Sequence, residues 1–160
     1  MQGIAIAGGL SGIGCREDFN VALACAWRAH QQQPLSLLLI EIDLYQQYQS
    51  ICGIAAGDDC LDAIAAAILE TARLPGAQAF AWGTGRFALL LPQAEQRQAE
   101  RLAAEIRFQV EALLISHPRS PVSRYVSVSI GIAAATPQAE IAAVSLSREA
   151  EAALSRARGV

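Results

Sequence analysis

The run Leu35-Ser36-Leu37-Leu38-Leu39-Ile40-Glu41-Ile42-Asp43 is apolar almost throughout and turns acidic only at its end. A strand of this kind is buried on both faces, so the rest of the chain has to supply a layer above it and a layer below it. Pro34 ends whatever precedes it. Membrane insertion is excluded, because a spanning helix needs about 18 to 20 apolar residues and Glu41 and Asp43 interrupt this stretch. Acidic side chains where a buried strand emerges stand at a polar edge, which is where chemistry can be placed.

The flanking segments supply the layers. Arg16 to Gln33 reads as a helix with Phe19, Leu23, Ala26 and Trp27 at spacings of three and four. Tyr45 to Gly57 is a short turn-rich segment; Asp58 to Arg73 is helical through Leu61, Ile64, Ala65, Ile68 and Leu69, with Asp58 or Asp59 as its cap and Pro75-Gly76 as its stop. Gln78 to Trp82 and Phe87 to Leu91 form a hairpin around Gly83-Thr84-Gly85-Arg86, whose glycines suit positive φ. Gln93 to Ser116 is a long amphipathic helix with Leu102, Ile106, Val110, Leu113 and Leu114 inward and Arg97, Glu100, Arg101, Glu105 and Arg107 in solvent. Pro118 and Pro121 mark a loop, Tyr125 to Ala133 is a strand with Val126, Val128, Ile130 and Ile132 inward, and Ser147 to Arg158 is a last helix. This order predicts an α+β fold: a mainly antiparallel central sheet of about five strands flanked by helices.

Composition narrows the function. At 160 residues, 53% hydrophobic and 17% charged, the chain forms one compact domain and is not disordered. All twelve basic residues are arginine and the net charge is −3, which leaves no basic face for a polynucleotide. Met1 to Gly9 lack the pattern of a secretory signal, and Cys15, Cys25, Cys52 and Cys60 show neither C-x-x-C spacing nor nearby histidine. Four reduced, mostly buried thiols in a cytoplasmic protein are expected. His30 and His117 lie in surface-like contexts without a catalytic role. The Gly83-Thr84-Gly85 turn precedes a strand and lacks Gly-Lys-Ser/Thr, so it is not a phosphate-cradling loop of the Walker kind.

Several short stretches, taken in order, resemble the GGDEF domain of bacterial diguanylate cyclases. Leu10-Ser11-Gly12-Ile13-Gly14-Cys15-Arg16 is similar to the Leu-Thr-Gly-Leu-x-Asn-Arg opening of that family, and Glu41-Ile42-Asp43-Leu44-Tyr45 to its Asp-x-Asp-x-Phe. Gly53 with Ala56-Gly57-Asp58 stands where the family has Gly-His-x-x-Gly-Asp. Phe87 to Pro92, Val126 to Ala133 and Ala150 to Arg158 resemble the later strands and the terminal helix. The resemblance spans nearly the whole chain. It implies the nucleotidyl-cyclase-like (ferredoxin-like) fold and the joining of two GTP molecules into cyclic di-GMP, with Mg²⁺ held by a strand-end aspartate and a hairpin carboxylate.

At the signature the chain departs from the family. Gly83-Thr84-Gly85-Arg86-Phe87 stands where the family writes Gly-Gly-Asp/Glu-Glu-Phe, so both acidic positions are lost and no catalytic residue is expected. The resemblance leaves Glu41 and the Ile42 carbonyl as a vestigial metal site. It leaves Gln49, Asp58, Arg86 and Arg158 as nucleotide-binding positions, with Gln49 where asparagine, Gln46 where lysine and Arg158 where a terminal lysine are usual. The Arg-x-x-Asp of product inhibition would need arginine near Pro75 and aspartate near Gln78, and both are missing. The expectation is a degenerate, catalytically inactive domain, residues 1–160, forming part of a larger signalling protein. It needs no cofactor, Mg²⁺ entering only if activity is retained. Its partners are another protein, a fused signalling domain or a second copy, without membrane contact from this segment. The alternative is a receptor for GTP or cyclic di-GMP that does not turn it over; an active cyclase is the least favoured reading.

Overall fold

The computed structural model describes residues 12–118, 120 and 124–158. Its elements are β1 (Ile13–Gly14), α1 (Arg16–Ala29), β2 (Leu35–Ile42), α2 (Tyr45–Cys52), α3 (Ile54–Thr71), β3 (Gln78–Gly83), β4 (Arg86–Pro92), α4 (Gln96–Ala112), β5 (Val128–Ala135) and α5 (Val144–Arg158). The five strands form one sheet in the order β1-β3-β4-β2-β5, antiparallel except where β1 lies beside β3. This is the expected α+β architecture.

The Leu35 run is central, as its composition requires. Leu35, Leu37 and Leu39 face a cluster with Phe19, Leu23 and Trp27 of α1 and Leu146, Ala150 and Leu154 of α5. Leu38, Ile40 and Ile42 face the opposite cluster, with Tyr45, Tyr48, Ile64, Ile68, Ile106 and Val110 from α2, α3 and α4. Each fully buried branched side chain contributes about 1.5–3 kcal/mol, so a strand loaded on both sides fixes its own register.

The structure revises several expectations. Tyr45 to Gly57 is not turn-rich: it forms α2 and the first turn of α3, divided at Gly53, whose φ of +98° suits glycine. Asp58 therefore caps nothing, since α3 begins four residues before it and Gly53 is the N-cap. Helix α1 stops at Ala29, before Gln32 at φ +70°, and α4 ends at Ala112, before the left-handed Leu114. At the other end of α1, the carboxylate of Asp18 accepts the backbone N–H of Cys15 at 2.9 Å, which holds its pKa below the usual range. Tyr125 precedes β5 and forms a separate bridge with Ser116. The two-residue β1 had no signal in the sequence; Leu10, Ser11 and Pro121 lie outside the described residues. No helix among the described residues is long and apolar enough to cross a membrane.

The thiols are less buried than expected. Only Cys60 is buried; Cys15 and Cys52 are half-buried and Cys25 lies on the exposed face of α1. Burial pushes the Cys60 thiol up to about 11, so almost none of it is thiolate at neutral pH. A disulfide reagent added to the native protein should label Cys25 about 100-fold faster than Cys60, the difference vanishing in denaturant. Mass spectrometry of the time course would reveal Cys60 labelled alongside Cys25 if its burial were wrong.

Candidate functional site

The polar end of β2 meets the β3–β4 hairpin. Glu41 and Arg86 are register partners across the β2–β4 ladder, so the strand pairing itself sets carboxylate beside guanidinium. Arg86 donates through Nε to Glu41 Oε2 at 3.1 Å. From the last turn of α5, Arg158 donates through Nη1 to Glu41 Oε1 at 2.5 Å. Each oxygen of one carboxylate is thus taken by a different arginine, an arrangement of charge-assisted bonds that is only partly open to water.

This contact continues along the sheet edge. Arg86 Nη1 lies 3.7 Å from Glu151 Oε1, and Glu151 Oε2 accepts the indole N–H of Trp82 at 3.2 Å. Arg16 at the start of α1 stacks 3.5 Å above the Trp82 ring and donates to the Trp82 carbonyl at 3.3 Å. Phe19 meets the same ring edge-on at 4.7 Å. Residues from α1, β3, β4, β2 and α5 therefore form one continuous chain of polar and ring contacts.

The hairpin leaves no room for a side chain at Gly85. Gly85 has φ +71°, and a Cβ there would stand 2.9 Å from the Tyr45 ring. That ring is held by its hydroxyl, which donates to the Gly57 carbonyl at 2.9 Å; burial raises the phenol's pKa and keeps the donor neutral. The Gly85 carbonyl in turn accepts the Ile42 N–H at 2.9 Å. Asp43 is engaged from β5 and its approach: Ser127 and Ser129 each donate a hydroxyl to it at 2.7 Å.

A cavity of about 450 Å³ opens beside this assembly, bordered by Glu41, Asp43, Tyr45, Gln46, Thr84 and Arg158. Arg86 and Arg158 thus meet on Glu41, where the sequence placed a vestigial metal ligand. Gln49 and Asp58 do not border the cavity: Gln49 packs over Gly57, and Asp58 is exposed on α3.

His117 corrects an expectation, being 3% exposed rather than superficial. The segment after α4 folds back through the Ser116–Tyr125 bridge, which carries the imidazole inward. Its Nε2 lies 3.1 Å from the Leu44 carbonyl, at the left-handed residue between β2 and α2, and its ring meets Tyr48 edge-on. Sequence reasoning also passed over Glu151, Trp82, Arg16, Ser127 and Ser129. The alternation of Ser127 and Ser129 with buried valines was the one available sign, since it sets both hydroxyls on one side of the strand.

Comparison with known proteins agrees with this architecture. The family model described as "Diguanylate cyclase, GGDEF domain" matches residues 5–159. The diguanylate cyclase DgcM of Escherichia coli (strain K12) is 38% identical over 101 residues, which are 63% of this chain but only 23% of DgcM. The chain thus spans about a quarter of that relative's length. The GGDEF domain of DgcB from Caulobacter crescentus, solved in complex with c-di-GMP, superposes with a TM-score of 0.84 at 22% identity, covering 99% of this chain and 93% of that one. The diguanylate cyclase SiaD of Pseudomonas aeruginosa, solved in complex with its activator SiaC, gives 0.78 at 23% identity, covering 92% of this chain and 56% of SiaD. With the family model matched over nearly every residue and the same fold in these structures, the chain belongs to the GGDEF domain family of diguanylate cyclases.

Proposed function

We propose that this chain is a catalytically inactive GGDEF domain in which an arginine clasp has replaced the metal site, and that it acts in cyclic di-GMP signalling through protein contacts as one part of a longer protein. The observation that carries this reading is the double engagement of Glu41 by Arg86 and Arg158. Cyclic di-GMP synthesis needs divalent cations to bridge phosphates and to stabilise charge as the α-phosphate is attacked.

The donor set does not fit such a cation. Both Glu41 oxygens accept from guanidiniums, both Asp43 oxygens accept from serines, and Gly85 brings no side chain. Against a signature with two carboxylates, glycine and arginine change the local formal charge by about +3, which repels a divalent ion by several kcal/mol at an effective dielectric of about 20. Where the family's product-inhibition motif would stand, Leu74, Pro75 and Ala77 border an apolar groove with Val21 and Ala22 of α1, which supports contact with protein rather than with a dinucleotide there.

A guanine-nucleotide receptor has less support. Its two arginines are committed to Glu41, and Asp58 and Gln49 stand away from the cavity. SiaD, which shares this fold over 56% of its length, was solved in complex with a protein activator, a precedent for a protein partner in a protein that carries the fold. Incubation of the purified protein with GTP and Mg²⁺ or Mn²⁺, followed by chromatography, is expected to yield no cyclic di-GMP. Product above the protein-free control would overturn the proposal.

A further inference from the structure

We infer that the outer face of α3 and α4 is the surface on which a second copy of this chain docks. The two helices lie side by side on one face of the sheet, and the topology makes them antiparallel. Helix α3 links the parallel strands β2 and β3, and α4 links the parallel strands β4 and β5, which run the other way. Between them is a groove of about 580 Å³ with Ala63, Ala66, Ala67 and Glu70 on one side, Glu70 being paired with Arg73, and Glu105, Gln109 and Leu113 on the other.

Three features make this face complementary to itself. The first is an aromatic knob beside a shallow hole: Phe108 is 67% exposed, next to Gln109 on the groove's rim, and the alanines opposite leave space for a ring. A partly exposed aromatic beside a small-residue groove is the arrangement from which interface anchors are made. The second is charge. Asp59 and Asp62 are exposed just before the groove alanines of α3, and Arg97 and Arg101 are exposed before Glu105 on α4. Because the helices are antiparallel, the acidic and basic pairs stand at opposite ends of the groove. None of the four forms an ion pair among the described residues.

A two-fold axis in the plane of the face, between those ends, opposes the acidic end of each copy to the basic end of the other. It also brings both Phe108 rings to the centre. An isologous contact has this form, with one patch serving both partners. The third feature is size. At about 1.5 Å per residue the helices are about 25 Å long, and with a paired width of about 20 Å the face measures about 500 Å² in projection, which its protruding side chains raise toward the roughly 800 Å² per partner of a standard interface. The inference does not depend on the arginine clasp, which lies at the end of the sheet.

Analytical ultracentrifugation tests it with paired charge reversals. The natural chain should sediment as a concentration-dependent dimer. Asp59→Arg/Asp62→Arg and Arg97→Asp/Arg101→Asp should each dimerise about tenfold or more weakly, an effect that shrinks in high salt. Mixed in equal amounts, the two variants should form a heterodimer, because the arginines at positions 59, 62, 97 and 101 of one then face the aspartates at the same positions of the other. Phe108→Ser, at an exposed position that leaves the fold intact, should weaken dimers at every salt concentration. A natural chain that stays monomeric to its solubility limit would overturn the inference. So would a dimer indifferent to the charge reversals and to Phe108→Ser, or variants that fail to pair on mixing while circular dichroism finds both folded.

Discussion

Gly131→Ala is expected to cost about 3 kcal/mol or more of stability, lowering the melting temperature by about 6–12 °C for a chain of this size. Gly131 sits in β5 beside Leu39 of β2, directly beneath α5. A Cβ there would come within 2.3 Å of the Leu154 nitrogen, 2.4 Å of the Ala150 oxygen and 2.6 Å of the Leu154 Cα. These obstacles are all backbone, so no rotamer change relieves them and α5 has to lift from the sheet. Lifting it would open the cluster that Leu146, Ala150 and Leu154 close against Phe19 and Trp27, and would draw Glu151 and Arg158 away from the hairpin. Gly53→Ala is the control: its φ of +98° with ψ of 164° makes any side chain strained, yet nothing lies within 4 Å, so its loss is conformational alone, about 1–3 kcal/mol, and leaves α5 in place. Thermal melts giving the two variants equal losses would contradict the steric account.

The sequence made the fold legible wherever a segment carried its own pattern. The Leu35 run announced a doubly buried strand, the Gly83-Thr84-Gly85 turn announced the hairpin, and the leucine and isoleucine spacing of α4 announced a helix. Tyr45 to Cys52 was misread because its glutamines and tyrosines show little helical periodicity on their own. Tyr45 and Tyr48 become a core face only when Ile64 and Ile106 stand opposite them. Strand β1 is two residues long and exists through its pairing with β3, which no local pattern records. In the site, position along the chain identified Glu41, Arg86 and Arg158 and allowed Arg86 to lie beside Glu41, but gave no sign that Arg158 joins them. Residues 41 and 158 are joined by the packing of α5 across the sheet, and Glu151 and Trp82 enter by the same route. His117 misled because a proline-flanked histidine reads as a loop residue, whereas its burial follows from the return of the loop onto Leu44.

Arg86→Glu should turn the clasp into a cation-seeking site. Glu41 and Arg86 face each other across the β2–β4 ladder, so the substitution sets a new carboxylate against Glu41 and close to Glu151, with Arg158 the remaining cation of the clasp. Two like charges at about 4 Å repel by up to about 4 kcal/mol at an effective dielectric of about 20; partial exposure and side-chain movement reduce this to a net loss of about 2 kcal/mol. A divalent ion relieves that repulsion. At a concentration 100 times its dissociation constant it restores about 2.7 kcal/mol, seen as a rise of about 5–10 °C in melting temperature. The natural chain, with Arg86 in place, should shift by less than about 1 °C under the same Mg²⁺ or Mn²⁺. Arg86→Gln separates the effects, since it removes the ion pair without adding a ligand and should lose stability without gaining a metal response. On the proposed reading Arg86→Glu should show no turnover either, because the other acidic position of the family signature is Gly85, where φ +71° and the Tyr45 ring at 2.9 Å bar a carboxylate. If Mn²⁺ stabilises the natural chain as much as Arg86→Glu, the guanidinium does not exclude metal and the proposal that the clasp replaces a metal site fails. If it stabilises only the variant, a single arginine at the start of β4 decides whether this sheet edge receives a metal ion or a side chain.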